Sequence, residues 1–281
     1  MAKHTPPIDG NTRVYGILGN PVHHSLSPVM HNTAFAILGE NRVYLPFRVE
    51  DVGAALQGLR GLGIHGVSVT IPHKENVMNH LDRIDPVAAK IGAVNTISCE
   101  TVDERKLLCG YNTDWLGAVS PLARFLDLQG EKAVILGAGG SARAIGFGLL
   151  QAGASITLCS RTAARGRALA ELLQCPWCAL EDVGELQGRI LINATSVGMA
   201  PQGGQSPVAA VVAAGYEVVM DIVYSPLKTQ LLSDAEAGGS HTINGLEMLL
   251  YQGVAQFELW TNREAPVEDM RRALLRAVAA E

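Results

Sequence analysis

The sequence predicts an α/β protein of two domains. Short apolar segments with strand character alternate with helical patterns along most of the 281 residues. A chain of this length exceeds the usual size of a single hydrophobic core. The composition, 48% apolar with 30 glycines, is typical of a turn-rich fold with buried parallel strands. We therefore expect an N-terminal α/β domain followed by a second α/β domain around mid-chain.

The elements follow in order along the chain. In the first part, strands are predicted at residues 14–18, 43–49, 66–71 and 94–98, and helices at 28–38, 52–62 and 86–91. In the second part, strands are predicted at residues 133–136, 155–159, 190–194 and 217–221, and helices at 246–261 and 267–280.

The most informative segment is a strand, glycine turn, helix and second strand at residues 132–169. Gly137, Gly139 and Ala142 fall at the G-x-G-x-x-[GA] spacing directly after the apolar strand. Gly137 permits a tight turn, Gly139 lets the backbone approach a pyrophosphate, and Ala142 lets the helix pack closely on the sheet. The free N–H groups at the helix start can then bind phosphates. This arrangement predicts a Rossmann-like dinucleotide-binding domain.

The residues after the second strand indicate which dinucleotide binds. An NAD site usually carries Asp or Glu here, but the chain has Ser160-Arg161-Thr162 followed by Arg165. Arg161 and Arg165 share a helical face if the helix has already begun, and together they could bind a 2′-phosphate. The sequence therefore predicts NADP(H) as the cofactor.

Composition and charge exclude several other classes. A net charge of −5 offers no electrostatic footprint for nucleic acid, and no apolar run reaches the ~20 residues that cross a membrane. The N-terminal residues lack the apolar core of a signal peptide, so a cytoplasmic location is expected. Cys175 and Cys178 have C-x-x-C spacing, but no second such pair completes a metal site, and we expect a structural or incidental pair and no metal. Cys99, Cys109 and Cys159 are expected to pack as small apolar residues.

Polar residues in the first domain exceed what a fold alone requires. Ser25 and Ser27 precede a helix, where one of them, Ser27, can serve as the N-cap. Ser68 and Thr70 are predicted to project to the same side of a strand that ends in proline and presents Lys74. Two further small polar clusters follow at residues 92–96 and 110–114. Because ligands gather at strand ends of this kind, these residues form a candidate binding site.

The series of motifs resembles the shikimate dehydrogenase family from about residue 14 to residue 260. The segments that carry the resemblance are HSLSP, SVTIPHK, GAVNT, GYNTD, GAGGSARA, SRTAAR, INATSVGM, DIVYSP and GLEMLLYQ, in the family's order. The resemblance implies NADPH-dependent, reversible reduction of 3-dehydroshikimate to shikimate in chorismate and aromatic amino acid biosynthesis. It also implies a substrate domain at residues 1–113 and 246–281, an NADP domain at 114–245, and a cleft between them. The expected partner is the small-molecule substrate, and the expected oligomeric state is a monomer or a homodimer.

The resemblance also implies roles for individual residues. Lys74 matches the catalytic lysine, which exchanges a proton with the substrate oxygen, and Asp114 matches the carboxylate that positions it. The residues that match substrate-binding groups are Ser25, Ser27, Ser68, Thr70, Asn95, Asp114, Tyr224 and Gln252. Those that match cofactor-binding positions are Gly137, Ala138, Gly139, Gly140, Ser141, Ser160, Arg161, Thr162 and Arg165, with Ile222 and Gly245 at the nicotinamide end.

One position departs from the family's pattern and keeps alternatives open. Ser68 stands where many members carry Asn, and the serine resembles plant-type and quinate-handling relatives. This departure leaves quinate open as an additional or alternative substrate, whereas the basic SRTAAR segment favours NADP, since quinate-preferring relatives often use NAD. A non-catalytic NADPH-sensing module is the more distant alternative, and the presence of both Lys74 and Asp114 argues against it.

Overall fold

The computed structural model describes residues 8–103, 105–200 and 203–280. The chain divides into two compact units. Unit 1 comprises the residues up to Thr113 together with those from Gln252 onwards, and unit 2 comprises Asp114–Tyr251. The division between Tyr251 and Gln252 falls within the helix Gly245–Thr261, which corresponds to the helix predicted at residues 246–261.

The described residues of unit 1 form six strands and the helices that connect them. Its strands are β1 (Arg13–Gly19), β2 (Arg42–Arg48), β3 (Gly66–Val69), β4 (Arg83–Ile84), β5 (Thr96–Val102) and β6 (Arg105–Tyr111). Its helices are α1 (Ser27–Ile37), α2 (Val52–Leu62), α3 (Pro86–Ile91), the part of α9 (Gly245–Thr261) from Gln252 onwards, and α10 (Val267–Ala279), with a 3₁₀ turn at Asn76–His80.

The sheet of unit 1 is mixed, with the strand order β2-β1-β3-β5-β6-β4. β1 pairs in parallel with both β2 and β3, whereas β5 runs antiparallel to β3 and β6. The core contains aliphatic side chains from α2 and the central strands, among them Leu56, Val67, Ile97 and Leu108. Helix α2 is well delimited, since the Asp51 carboxylate accepts a hydrogen bond from the Ala54 N–H and Gly63 ends the helix in the left-handed conformation.

The part of unit 2 that the structure describes contains six strands in a wholly parallel sheet. They are β7 (Lys132–Leu136), β8 (Ser155–Ser160), β9 (Trp177–Ala179), β10 (Ile190–Asn193), β11 (Val218–Asp221) and β12 (His241–Ile243). The helices are α4 (Asp114–Leu122), α5 (Gly140–Gln151), α6 (Ala163–Leu173), α7 (Ala210–Ala213), α8 (Gln230–Ala237) and the first residues of α9, with a 3₁₀ turn at Leu180–Glu185.

The strand order of unit 2 is that of a doubly wound, Rossmann-like sheet. The order is β12-β11-β10-β7-β8-β9, and the chain runs outward from β7 first to one edge and then, from β10, to the other. The carboxyl ends of β7 and β10 therefore form the topological switch point, where open α/β sheets bind their ligands. Buried residues such as Val134, Leu136, Leu191 and Val219 form the core.

The expected two-domain α/β fold is confirmed. Helices α2 and α3 have the predicted bounds, whereas strand β3 ends at Val69 rather than at residue 71. Strands β4, β6, β9 and β12 were not predicted. Among the described residues, no helix combines the length and the apolar character needed to cross a membrane.

Candidate active site

The glycine turn of unit 2 lies between β7 and α5, at the switch point of the parallel sheet. Gly137 has φ +119°, and a Cβ there would lie 3.0 Å from the carbonyl oxygen of Ala194. Gly139 is the N-cap residue of α5 and supplies no side-chain hydrogen bond, while a Cβ on Gly139 or Gly140 would meet no atom within 4 Å. The turn thus leaves open space in front of the helix N-terminus, which suits the phosphates of a dinucleotide. Ala142 is fully buried beneath this turn, as close packing of helix on sheet requires.

The basic segment follows β8 as expected, but its geometry differs from the prediction. Helix α6 begins at Ala163, so Arg161 precedes the helix and does not share a helical face with Arg165. Arg161, Thr162 and Arg165 are all exposed, as groups that meet a charged phosphate should be. Ser160 is buried, and its hydroxyl accepts a hydrogen bond from the Trp177 indole at 3.0 Å and donates to the Thr162 carbonyl at 3.2 Å. Ser160 therefore shapes the loop.

A cavity of about 540 Å³ opens beside this segment at the carboxyl ends of β8 and β9. Ser160 and Arg161 lie at one side of it, and the rest of the lining includes the apolar side chains of Leu180 and Val183 together with the carboxylate of Glu181. A partly apolar cavity bordered by an arginine suits a planar base with a phosphate at the arginine side.

Ile222 and Gly245, predicted for the nicotinamide end, lie together in unit 2. A Cβ on Gly245 would sit 2.4 Å from the Ile222 carbonyl oxygen, so only glycine permits this approach. The adjacent Asp221 is fully buried at the end of β11 and accepts hydrogen bonds from Asn193, Thr229 and the Val223 N–H. Burial raises the pKa of Asp221 to about 6, and the three hydrogen bonds oppose this shift. Sequence reasoning missed Asp221, although a charged residue at the end of an apolar strand was a visible signal.

In unit 1, Ser25 and Ser27 lie at the start of helix α1. The prediction that Ser27 caps this helix is wrong, because the N-cap residue is Leu26 and makes no side-chain cap. Instead, the Ser27 N–H donates to the Ser25 hydroxyl at 3.3 Å. Ser27 is buried and Ser25 half-buried. Capping does not engage the Ser27 hydroxyl, which instead hydrogen-bonds the buried Tyr44.

Ser68, Thr70 and Lys74 lie on β3 and the loop that follows it. Ser68 is 5% exposed, Thr70 follows the last residue of the strand, and Lys74 is half-buried. The Lys74 backbone is fixed, because its carbonyl accepts a hydrogen bond from the Val94 N–H at 2.8 Å. His73 is buried and its Nε2 bonds the Val49 carbonyl at 2.7 Å, so the histidine anchors the loop that presents the lysine.

Asn95 lies at the centre of a buried polar network. Its Oδ1 accepts from the Thr113 N–H at 2.7 Å and from the Thr96 hydroxyl at 2.7 Å. Its Nδ2 donates to the Thr113 hydroxyl at 3.0 Å, and Gln252 Oε1 lies 3.5 Å from it. The Thr113 hydroxyl in turn donates to the Gln252 carbonyl at 3.0 Å. The structure thus brings together two of the predicted substrate-binding residues, Asn95 and Gln252.

Two residues that sequence reasoning missed bond Ser68, and one of them, Gln256, also bonds Asn95 and Thr96 of this network. Tyr44 and Gln256 are fully buried, and both bond the Ser68 hydroxyl, at 2.6 and 2.7 Å respectively. Burial raises the pKa of Tyr44 above its ordinary value, while hydrogen bonds with Ser68 and Ser27 oppose this shift. His31 stacks on the Tyr44 ring at 4.5 Å between ring centroids, and burial lowers its pKa to about 3, so the imidazole is neutral near pH 7.

The remaining site residues belong to unit 2. Asp114 is the first residue of helix α4 and is 6% exposed, and Tyr224 is half-buried in the segment after β11. Asp114 occupies the first turn of its helix, where a carboxylate is favoured by the helix dipole.

Two of the cysteines, Cys159 and Cys178, pack against each other on neighbouring strands. The Cys178 sulfur lies 2.9 Å from the Cys159 sulfur. The two residues are register partners on β8 and β9. Burial raises the pKa of Cys159 and also that of Cys175, the latter to about 11, so both thiols are protonated near neutral pH.

The fold and these sites define a class: a two-domain α/β protein with a Rossmann-like unit that fits a dinucleotide. Residues 17–97 match the family model described as shikimate dehydrogenase substrate binding domain, and residues 245–275 match the shikimate 5′-dehydrogenase C-terminal domain. The chain belongs to the shikimate dehydrogenase (NADP⁺) family.

Individual relatives agree with this assignment. The shikimate dehydrogenase (NADP⁺) of Moorella thermoacetica is 46% identical over 97% of this chain and 96% of its own length. A crystal structure of a shikimate dehydrogenase with NADP⁺ is similar at a TM-score of 0.89 and 40% identity, covering 97% of this chain and 98% of that one. The Thermus thermophilus enzyme, solved with NADP(H) and shikimate, has a TM-score of 0.86 and 38% identity, covering 94% of this chain and 99% of that one.

Proposed function

We propose that this protein catalyses the NADP-dependent, reversible reduction of 3-dehydroshikimate to shikimate. The single observation that carries the proposal is near full-length identity of 46% to a shikimate dehydrogenase (NADP⁺), joined to a glycine turn that leaves the α5 N-terminus open for phosphates. The buried polar network of unit 1 supports it, since a polyhydroxylated acid requires several directional neutral hydrogen-bonding groups.

Reduction of the ring ketone needs a hydride and a proton. NADPH, when bound, supplies the hydride. Lys74 is proposed to exchange the proton with the substrate oxygen, and Asp114 to position it as the paired carboxylate. The location of Lys74 supports this role, since the lysine is half-buried on a loop that the buried His73 anchors to the Val49 carbonyl.

Substrate binding is proposed for polar groups at the strand ends of unit 1 and for two residues of unit 2. Ser25 and Ser27 at the start of α1, Ser68 and Thr70 at the end of β3, and the pair Asn95 and Gln252 provide hydroxyl and amide groups. Asp114 and Tyr224 of unit 2 complete the set, which is Ser25, Ser27, Ser68, Thr70, Asn95, Asp114, Tyr224 and Gln252.

Cofactor binding is proposed for three parts of unit 2. The glycine turn of residues 137–141 would hold the pyrophosphate, and the exposed Arg161 and Arg165 would pair with the 2′-phosphate. The cavity beside Arg161 would take the adenine. Ile222 and Gly245 would border the nicotinamide end. The open space around Gly139 and the absence of a side-chain cap on α5 support this assignment, because both leave room for phosphates at the helix N-terminus.

The first test measures NADP⁺ and NAD⁺ reduction at 340 nm with shikimate and with quinate. We expect turnover of shikimate with NADP⁺, and a Lys74→Ala variant that loses about 10²–10⁴-fold in kcat. Lys90→Ala, which removes an exposed lysine in the same unit, serves as the matched control and should retain wild-type rates. Faster turnover of quinate would overturn the substrate assignment, and activity that persists without Lys74 would overturn its role.

A further inference from the structure

The hydrogen bonds around Ser68 form a chain with a fixed direction. We define the Ser68 relay as Tyr44, Ser68, Gln256, Thr96 and Asn95, all of unit 1. Every member is 5% exposed or less. Hydroxyl and amide groups can usually donate or accept, so the direction of such a chain is open unless a group with one role fixes it.

Two backbone groups fix the direction here. Gln256 Nε2 lies 3.3 Å from the Asn95 carbonyl, which can only accept, so the amide nitrogen of Gln256 must face it. The same nitrogen donates to the Thr96 hydroxyl at 2.9 Å. At the other end, the Thr113 N–H can only donate, and it meets Asn95 Oδ1 at 2.7 Å. The Asn95 amide orientation is therefore fixed as well.

The remaining protons follow from these anchors. Because Gln256 presents its oxygen to Ser68 at 2.7 Å, the single Ser68 proton is used in that bond. Tyr44 lies 2.6 Å from the same hydroxyl, so the tyrosine must donate to it. The Thr96 proton is likewise used, because Thr96 accepts from Gln256 and donates to Asn95 Oδ1 at 2.7 Å.

We propose that Tyr44 and Gln256 are positioning residues that fix Ser68 as a hydrogen-bond acceptor toward the substrate. Ser68 then offers a substrate only a lone pair, which suits a hydroxyl of the ring and not its carboxylate. This inference rests on the proposed function.

The decisive variant is Tyr44→Phe, which removes one hydroxyl and keeps the buried ring. Loss of one neutral hydrogen bond predicts a rise of about three- to tenfold in KM for shikimate. We expect kcat to change less than about twofold and KM for NADP⁺ to stay at the wild-type value, because the cofactor residues belong to unit 2. A purely structural role would lower the melting temperature without moving KM for shikimate.

A double-mutant cycle with Ser68→Ala tests whether Tyr44 acts through the serine. Ser68→Ala alone should raise KM for shikimate, and the effect of Tyr44→Phe on KM should be smaller in its presence, the remainder reflecting the bond between Tyr44 and Ser27. Undiminished effects of Tyr44→Phe in the Ser68→Ala background would overturn the proposal. An unchanged KM in Ser68→Ala itself would also overturn it.

Tyr15→Phe is the matched control. Tyr15 is another buried tyrosine of unit 1, and its hydroxyl accepts a hydrogen bond from Arg42 at 2.9 Å rather than contacting Ser68. This variant removes the same chemical group from the same aromatic cluster. We expect a lower melting temperature and an unchanged KM for shikimate, and a KM shift equal to that of Tyr44→Phe would refute the specific role of the relay.

Gln256→Met provides a second and independent variant. It keeps the side-chain length but removes both the acceptor of Ser68 and the donor to Thr96, so its KM for shikimate should exceed that of Tyr44→Phe. The rise in KM caused by Gln256→Met should be smaller in the Ser68→Ala background, and an equally large rise there would contradict the relay. If wild-type protein does not oxidise shikimate, the proposed function fails. If it does while these KM patterns are absent, only this inference fails.

Discussion

Replacing Asp221 by Asn should remove a pH-dependent loss of stability from unit 2. The carboxylate is fully buried and accepts three hydrogen bonds from neutral groups, namely the Asn193 amide, the Thr229 hydroxyl and the Val223 N–H. Burial, opposed by these bonds, raises its pKa from the ordinary 3.8 to about 6. The folded protein therefore binds a proton at Asp221 more tightly than the unfolded chain.

The sign and size of the effect follow from this difference. The stabilisation by the bound proton is complete below pH 3.8 and is lost as the pH rises through about 6. At about 1.4 kcal/mol for each tenfold change, the ionised Asp221 costs about 3 kcal/mol at neutral pH. The amide introduced by Asp221→Asn would be neutral throughout, and the Thr229 hydroxyl can reverse to accept from the new amide nitrogen.

The assay compares urea unfolding of Asp221→Asn and wild-type protein at several pH values from 3.5 to 7.5. We expect the free energy of unfolding of the variant, relative to wild type, to rise by about 3 kcal/mol across this range. Asp127→Asn, at an exposed carboxylate of the same unit, should differ from wild type by less than about 0.5 kcal/mol. If the difference in unfolding free energy between Asp221→Asn and wild type did not vary with pH, the reasoning would be refuted. A carboxyl ¹³C NMR titration of the wild-type protein that placed the pKa of Asp221 near 3.8 would refute it as well.

Three further predictions concern local structure and the cofactor. Gly139→Ala should keep the wild-type melting temperature yet raise KM for NADP⁺, because the added Cβ meets no protein atom but enters the open space of the turn. Gly137→Ala should instead destabilise the fold by about 1–3 kcal/mol, because this residue has φ +119° and its Cβ would meet the Ala194 carbonyl. Arg161→Ala and Arg165→Ala should raise KM for NADP⁺ about tenfold while leaving KM for NAD⁺ unchanged, and equal losses with both cofactors would contradict a 2′-phosphate role. Asp51→Ala should lower the unfolding free energy by about 1 kcal/mol through loss of the α2 cap, measured by thermal unfolding, without affecting kinetics.

Periodicity predicted the central elements of both sheets, because buried strands and amphipathic helices impose patterns over many residues. It missed β4, β9 and β12, which have only two or three residues each and lie at or next to sheet edges, too short to show alternation. It also missed β6, a seven-residue strand whose mixed sequence includes charged residues at its exposed start.

The candidate site was predictable in parts that local motifs encode. The glycine turn needs only neighbouring residues, whereas the Ser68 relay joins side chains that are far apart in sequence. Tyr44 is 24 residues from Ser68, and Gln256 is 188 residues from it. Tyr44 has the appearance of an ordinary core aromatic residue, and Gln256 was detectable only as a polar residue one helical turn after Gln252. The hydrogen bonds that give these residues a role exist only after folding.

The hydrogen bond between the Thr113 hydroxyl and the Gln252 carbonyl has a consequence for how the gene could have been assembled. These two residues are the last and first of the two segments of unit 1, and they lie in hydrogen-bonding contact at 3.0 Å. The whole of Asp114–Tyr251 therefore leaves and re-enters unit 1 at a single point. Domains whose ends lie close together are readily inserted into a host fold. A short linker joining Thr113 to Gln252 would close unit 1 without stretching its chain, so the dinucleotide unit could be exchanged for another of different cofactor preference.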